Sequence, residues 1–481
     1  MMSSQKKCST ACSRHCSAPP KFQLPASPCP ELLLTNSVPS DVQLNEIHSF
    51  IGSKKAKISI LNDQIAQVQR TLRRLESQRA ELADLVESHR GVVSTIRRLP
   101  EEVLGEIFSQ YLGASDSRLH SPKALSHIIG VCAGWRAIAL ASPLLWRHIR
   151  PIRREQSYDD SGELQQISLQ LQRSAPVALS LHLDETASSR VVDLLLTESR
   201  RWQNLYLPWG HSSYQNLTTS KVEFPVLEKL TLVNSAQAKD VALFVESLPA
   251  MVDVTLDANQ ARIPRTPDII WAQLRTCRLI GCCTADILHV LPLFSAGTRV
   301  CLEDFFKGPE QLTSVHTVVS DLSIRCYVID ILLNSLTAPC LKKFCIAGRF
   351  SISPITAFFD RSLCALTHLG ISPWDRSADV LSSPHVCDVV DLKVDTQFNS
   401  WTLCKLIEML AVRDIMITPK LRRLTLRNCR WTDKAVDKLF EIQSNRRPVL
   451  RSLWLNRGGE LFSQDTLQAL KSGGLEVVIF E

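Results

Sequence analysis

Long apolar runs are missing from this chain. No stretch of about eighteen uninterrupted apolar residues occurs, and the opening MMSSQKKCSTACSRHC carries no apolar segment of the kind a secretory signal needs. Membrane spanning and secretion are therefore not expected. Catalytic signatures are also missing. The sequence holds no Gly-x-Ser-x-Gly elbow, no phosphate-cradling Gly-rich loop, no His-Glu-x-x-His helix and no Cys-x-x-Cys pair. His182 near Asp184, and Cys364 near His368, are pairs without a third orienting group and read as surface or core residues. The expectation is a non-catalytic protein without cofactor, although one sequence leaves open a site assembled from distant residues.

Charge of one sign is scarce outside the first hundred residues. Residues 1–99 hold 14 Lys and Arg against 8 Asp and Glu, a surplus of six out of the net +7, so the remaining 382 residues are nearly balanced. A nucleic-acid partner is not expected of them. The 16 cysteines are scattered through a chain without an export signal, which reads as free thiols in a reducing compartment and not as a disulfide framework. Cys8, Cys12, Cys16 and His15 suggest a metal site, but a second ligand cluster does not follow, and no metal is expected.

What is present falls into four parts. Residues 1–39 mix Ser, Pro, Cys and Lys without periodicity and are expected to form a disordered tail. Residues 40–93 open on Ser40 and Gln43 at capping-box spacing, with no proline until Pro100. Ile58, Leu61, Ile65, Val68, Leu72, Leu75, Leu82 and Val86 recur at alternating steps of three and four, with Arg79 at the one interrupted position. A 3.5-residue repeat favours pairing with another helix, in a homo- or hetero-oligomer, over a single helix folded back on its own protein.

Residues 94–150 read as three short helices. Pro100 suits a first helical position, and Glu101 with Glu102 complements the dipole of that first turn. Val103, Leu104, Ile107, Phe108, Tyr111 and Leu112 recur at helical spacing. Leu125, Ile128, Val131, Cys132, Trp135 and Ile138 continue an apolar stripe that starts after Ser121-Pro122 and stops at Ser142-Pro143. Leu99-Pro100, Ile107-Phe108, Val131-Cys132 and Trp135-Arg136 resemble the F-box motif, while Ala133 and Gly134 stand where that family usually has polar or basic residues. A generic three-helix packing element is the plainer alternative.

Residues 165–481 show apolar triplets at offsets zero, three and five, clearest in Leu421, Leu424 and Leu426. They recur from Trp202, Leu227, Met251, Leu274, Val319, Leu341, Leu366, Val389, Leu421, Leu450 and Leu475, with a poorer match at Val300 and Leu302. This resembles leucine-rich repeats, so the expected fold is multidomain: a coiled-coil helix, a three-helix F-box and an α/β leucine-rich-repeat-like solenoid. The order is similar to that of a family of fungal F-box proteins. Asn259, Cys282 and Cys429 sit three residues after a third apolar position, where such repeats bond the turn's backbone. An unrelated α/β domain is the alternative.

The resemblance implies a substrate-recognition subunit of a ubiquitin ligase, docking on a Skp-type adaptor and through it a cullin, in cytoplasm or nucleus. Leu99, Pro100, Val103, Leu104, Ile107, Phe108, Val131, Cys132 and Trp135 are the expected adaptor contacts. Some of them must instead form the F-box's own core, and the sequence does not divide the two groups. An unidentified target protein would meet the residues that alternate with the triplets: Lys229, Thr231, Arg423, Thr425, Arg427, Trp454 and Asn456. Trp454 could equally cover an end of the solenoid. A scaffold that assembles through its coil and delivers no target is the competing class.

Overall fold

The computed structural model describes residues 24–114, 122–151, 160–184, 187–208, 217, 222–233, 248–258, 263, 268–308, 312–327, 329–373, 377–395, 400–411, 417–429, 431–446, 449–456, 464–471 and 474–480. The Cys8, Cys12, Cys16 and His15 group lies outside them, as does Asn259. The chain divides into two units, Met1–Leu99 and Pro100–Glu481.

In the first unit, residues 24–39 contain one short 3-10 turn, Pro30–Leu33. Ser40 then caps a single helix of 53 residues, α1 (Asp41–Val93). The capping box is complete: the Gln43 amide donates to Ser40 Oγ at 3.5 Å, and the Ser40 amide donates to Gln43 Oε1 at 3.0 Å. No residue of α1 is buried, and the whole seam from Ile58 to Val86 is exposed. A lone helix of this length gains nothing from its apolar seam in water, so the seam is the part of α1 that has something to gain from a partner.

The second unit begins with three helices, α2 (Glu101–Ala114), α3 (Pro122–Val131) and α4 (Ala133–Ala141). The apolar stripe read as continuous from Leu125 to Ile138 is broken at Cys132, whose extended backbone (φ −161°, ψ 170°) ends one helix and caps the next. The Trp135 amide donates to Cys132 Sγ at 3.4 Å. Gly134 therefore lies in the first turn of α4, not in a helix interior where a glycine costs about 1 kcal/mol.

A 14-stranded sheet follows, with every pairing parallel and the strands adjacent in chain order: β1 (His148–Ile149), β2 (Leu179–His182), β3 (Trp202–Pro208), β4 (Lys229–Val233), β5 (Asp253–Asp257), β6 (Thr276–Ile280) and β7 (Arg299–Glu303). Next come β9 (Asp321–Arg325), β11 (Lys343–Gly348), β12 (His368–Pro373), β13 (Asp391–Asp395), β14 (Arg423–Arg427), β15 (Ser452–Asn456) and β16 (Glu476–Phe480). The short strands β8 (Val315–His316) and β10 (Leu336–Thr337) pair separately. The first strand precedes residue 165, where the repeat pattern starts in the sequence.

Alternation sets the layers. On β4 to β7 and on β9 the second and fourth residues are buried and the others are not, as period-two geometry requires. The buried pairs, such as Leu230 with Leu232 and Val300 with Leu302, pack under helices including Ser189–Leu196 and Asp433–Asn445 in one core. The triplets' first members are buried too, from Trp202 to Leu421. Between strands, thiols and hydroxyls satisfy turn carbonyls: Cys282 donates to Ile280 O, Cys429 to Arg427 O, and buried Thr298 to Leu274 O at 2.7 Å. Burial pushes the Cys282 thiol up to about 12, which fits a structural donor and not a nucleophile.

The last unit departs from the sequence reading. Leu453 and Leu455 pair with Val477 and Ile479, so the triplet read as Leu475, Val478 and Phe480 is one residue out of register. A slip of one residue moves each side chain to the other face, and Val477 accordingly packs against the core.

Candidate functional site

Pro100 lies one residue ahead of α2 and its carbonyl accepts the Leu104 amide at 3.1 Å, which starts the helix. From there α2 turns two stripes in different directions. Leu104, Phe108 and Leu112 point inward and are buried with Ile128, Ala139, Leu145 and Trp146. The Trp146 indole donates to Ala139 O at 2.8 Å, and Arg173 lies over its ring at 4.5 Å, so the tryptophan's polar end is satisfied inside the core. Arg136 Nε donates to Ile129 O and ties α4 to the end of α3.

The second stripe stays in solvent. Val103, Ile107 and Tyr111, at successive steps of four, are 42–52% exposed. Val131, Leu140 and Leu144 add further uncovered apolar surface. Trp135 lies between the two sets: its ring packs on Phe108 with centroids 4.8 Å apart, and it is only partly buried.

The nine residues read from the sequence as adaptor contacts thus separate. Leu104 and Phe108 form the segment's own core, Cys132 caps α4, Leu99 closes the 3-10 turn Thr95–Arg98, and Pro100, Val103, Ile107 and Val131 are exposed. Tyr111, Leu140 and Leu144 belong to the exposed set and were not singled out as contacts. The step of four after Ile107 was the signal for Tyr111.

Residues 96–151 match the F-box-like family model. No curated protein matches the chain. The match therefore takes in most of the 3-10 turn Thr95–Arg98, then α2 to α4, the turn after them and β1. F-box domains generally bind Skp-type adaptors.

The residues expected to meet a target do not gather in one place. Lys229 and Thr231 lie on β4, while Arg423, Thr425 and Arg427 lie on β14, eight strand spacings or roughly 38 Å along the sheet. Lys229 pairs loosely with Asp253 at 3.9 Å, and Arg423 pairs with Asp391 at 3.3 Å while its guanidinium lies 5.7 Å over the Trp454 ring. Thr425 is not the outward contact that alternation suggests: it is 7% exposed, flanked by Lys393 on β13 and by Trp454 on β15. The large indole beside it shields it from solvent. Arg427 is exposed, and Asn456 pairs through its backbone with Phe480.

The two pairs considered for catalysis have these surroundings. His182 stacks on Tyr206 with centroids 4.0 Å apart, and burial, followed by the charge of Arg150, lowers it to about 4. Cys364 is buried and pushed up to about 11 by that burial, while His368 Nδ1 meets Thr367 Oγ1 at 2.9 Å. Among the described residues no group of three or more His, Cys, Asp or Glu side chains could hold a metal ion. Nor is any helix of the described residues long and apolar enough to cross a membrane.

Proposed function

We propose that this chain is the substrate-recognition subunit of a Skp-cullin-F-box ubiquitin ligase, with the F-box-like domain docked on the adaptor and the parallel-sheet region holding a target protein. The observation that carries the reading is the stripe Val103, Ile107 and Tyr111, apolar and uncovered on the same helix whose Leu104, Phe108 and Leu112 are buried. Exposed apolar residues grouped at helical spacing cost solubility unless a partner removes them from water. Ile107, Val131 and Trp135 are the expected anchors, with Val103 and Tyr111 beside them.

The protein transfers no ubiquitin itself in this reading. It holds the target near a charged conjugating enzyme, which raises the local concentration of the reacting groups. Strands adjacent in chain order, triplets buried at offsets zero, three and five, and thiols bonded to turn carbonyls support a leucine-rich-repeat solenoid as the target-binding part. A cytoplasmic or nuclear location follows from the ligase's own partners.

A scaffold that assembles through α1 is the second reading, favoured by a seam exposed from Ile58 to Val86. One experiment separates the two. In cells, tagged full chain should recover the Skp-type adaptor and the cullin, and Ile107→Glu with Val131→Glu should abolish both while leaving the fold intact, because both side chains are already in solvent. Adaptor recovery unchanged by the pair would overturn the docking assignment. Recovery of further copies of the chain alone would favour the scaffold.

A further inference from the structure

The charges in the seam of α1 bear on what it meets. Continued by the same alternating steps of three and four, the seam runs from Ile47 to Val93, and aliphatic residues fill it except at Lys54, Arg79 and His89. A parallel pair of copies in register would set Arg79 against Arg79 and Lys54 against Lys54 within an apolar contact, where little water screens them. An antiparallel pair stacks each seam residue on a different one. Centred on Arg70, it sets Arg79 against Leu61, Lys54 against Val86, His89 against Ile51 and Ile65 against Leu75 of the other copy. No layer then holds two cations. Sliding one copy by seven residues in one direction brings Lys54 opposite Arg79, and sliding it in the other shortens the overlap.

We propose that α1 pairs with α1 of a second copy of this chain, antiparallel and centred on Arg70. The residues beside the seam support the direction. Phe50, Leu85 and Val92 each stand one residue ahead of a seam position; Leu85 and Val92 are exposed, and the Lys54 ammonium lies 4.7 Å over the Phe50 ring. In the antiparallel pair such flanking positions meet one another, so Phe50 lies by Val92 and Leu85 by the apolar stem of Lys57. In a parallel pair Phe50 would face Lys55 and Leu85 would face Arg90. A second copy also suffices as the partner. The seam is complementary to itself across a two-fold axis, and long cationic side chains opposite aliphatic ones extend along them to water, so no foreign carboxylate is called for. The two Val93 ends then lie roughly 70 Å apart, and the two chains continue from opposite ends of the rod.

The pairing stands apart from adaptor docking, and its test uses purified full chain with no adaptor present. Sedimentation should show a dimer. Leu61→Glu puts a carboxylate opposite Arg79 of the other copy and should leave the dimer within about threefold of its original affinity, whereas Leu75→Glu puts one opposite Ile65 and should weaken it about tenfold or more. In a parallel pair each of these substitutions would set two carboxylates against each other, and both would dissociate it. Adding Arg79→Glu to Leu61→Glu restores like charges in that layer and should undo the dimer. Both seam residues are exposed, so the rest of the fold is not at issue. A photo-reactive benzophenone amino acid in place of Leu61 should crosslink to the peptide that contains Arg79; within one helix the two positions are roughly 27 Å apart, so that link joins two copies. A monomeric full chain, equal responses to Leu61→Glu and Leu75→Glu, or a crosslink from position 61 to the same position of the other copy would overturn the proposal. Adaptor recovery is read separately: a dimer that recovers no adaptor sinks the receptor reading and leaves the pairing in place, and a monomer that recovers it does the reverse.

Discussion

Arg446 carries a guanidinium into the core with only carbonyls and one hydroxyl to receive it. The residue is 3% exposed, and it donates to Leu410 O and Thr418 O at 2.9 Å and to Ile417 O at 2.6 Å. Burial lowers its pKa to about 10, so the charge persists at neutral pH. Arg446→Met should cost about 3 kcal/mol, because it leaves buried carbonyls without donors; a drop in the urea midpoint at unchanged slope is the check. Gly348 is constrained differently. Its φ is +123°, and a Cβ there would collide with the Cys326 carbonyl oxygen, so Gly348→Ala should destabilise by more than about 1 kcal/mol. His182 gives a pH dependence. Its folded pKa is depressed to about 4 from 6.5, so its contribution is complete above about 6.5 and is lost as pH falls toward 4. Discounted for partial exposure, the loss is about 1–2 kcal/mol. A His182→Phe chain should show a shallower fall of stability between pH 6.5 and 4, and an imidazole titrating near 6.5 in the folded protein would contradict the assignment.

At the scale of elements, α1 and the helix break at Cys132 respond to different forces. Local signals wrote α1 into the sequence: Ser40 and Gln43 set its start, and no proline or glycine cluster interrupts it before Val93. Its partner is written less plainly, because apolar spacing alone specifies a packing surface and not the identity of what packs. If the seam pairs, Ile65→Asp with Leu72→Asp forces two carboxylates into the apolar contact, and sedimentation of the full chain should shift from a larger species to a monomer; one unchanged species in both would reject pairing. The break at Cys132 was not legible. Hydrophobic spacing carries across it, since one extended residue displaces the stripe by little more than one residue's rotation, roughly 100°, and cysteine is no usual helix cap. Cys132→Ser should keep the break and stabilise α4 slightly, by about 0.5 kcal/mol, measurable as a small rise in melting temperature.

For the whole molecule, the strand order was readable and the surface was not. Triplets at Trp202, Leu227 and their successors located most of the strands, because burial on one side of a five-residue strand leaves an apolar record in the sequence. β2 escaped because Pro176 stands where a triplet would begin, and β16 slipped because Val477 and Val478 are equally apolar. The cavity lined by Arg275, Arg299, Asp321, Lys342 and Lys343 escaped for a deeper reason: its four cations are drawn from three separate repeats, and only stacking makes them neighbours. Contacts confined to adjacent strands also predict how damage spreads. Leu302→Ala, at a fully buried site on β7, should cost about 3 kcal/mol, and hydrogen exchange should quicken first in β6 and β9, with β2 and β15 affected last.

Only Arg147 separates Trp146, in the core of the F-box-like domain, from His148, already hydrogen-bonded into the sheet, and Arg147 itself donates to Gln203 on β3 at 3.0 Å. The join has no slack. A target held on the strands would be presented to the ligase at one fixed bearing, so its modified lysines should fall in a narrow zone. Inserting a few glycines after Arg147 should spare adaptor recovery while scattering the ubiquitin over more positions, a change that mass spectrometry of the product would register.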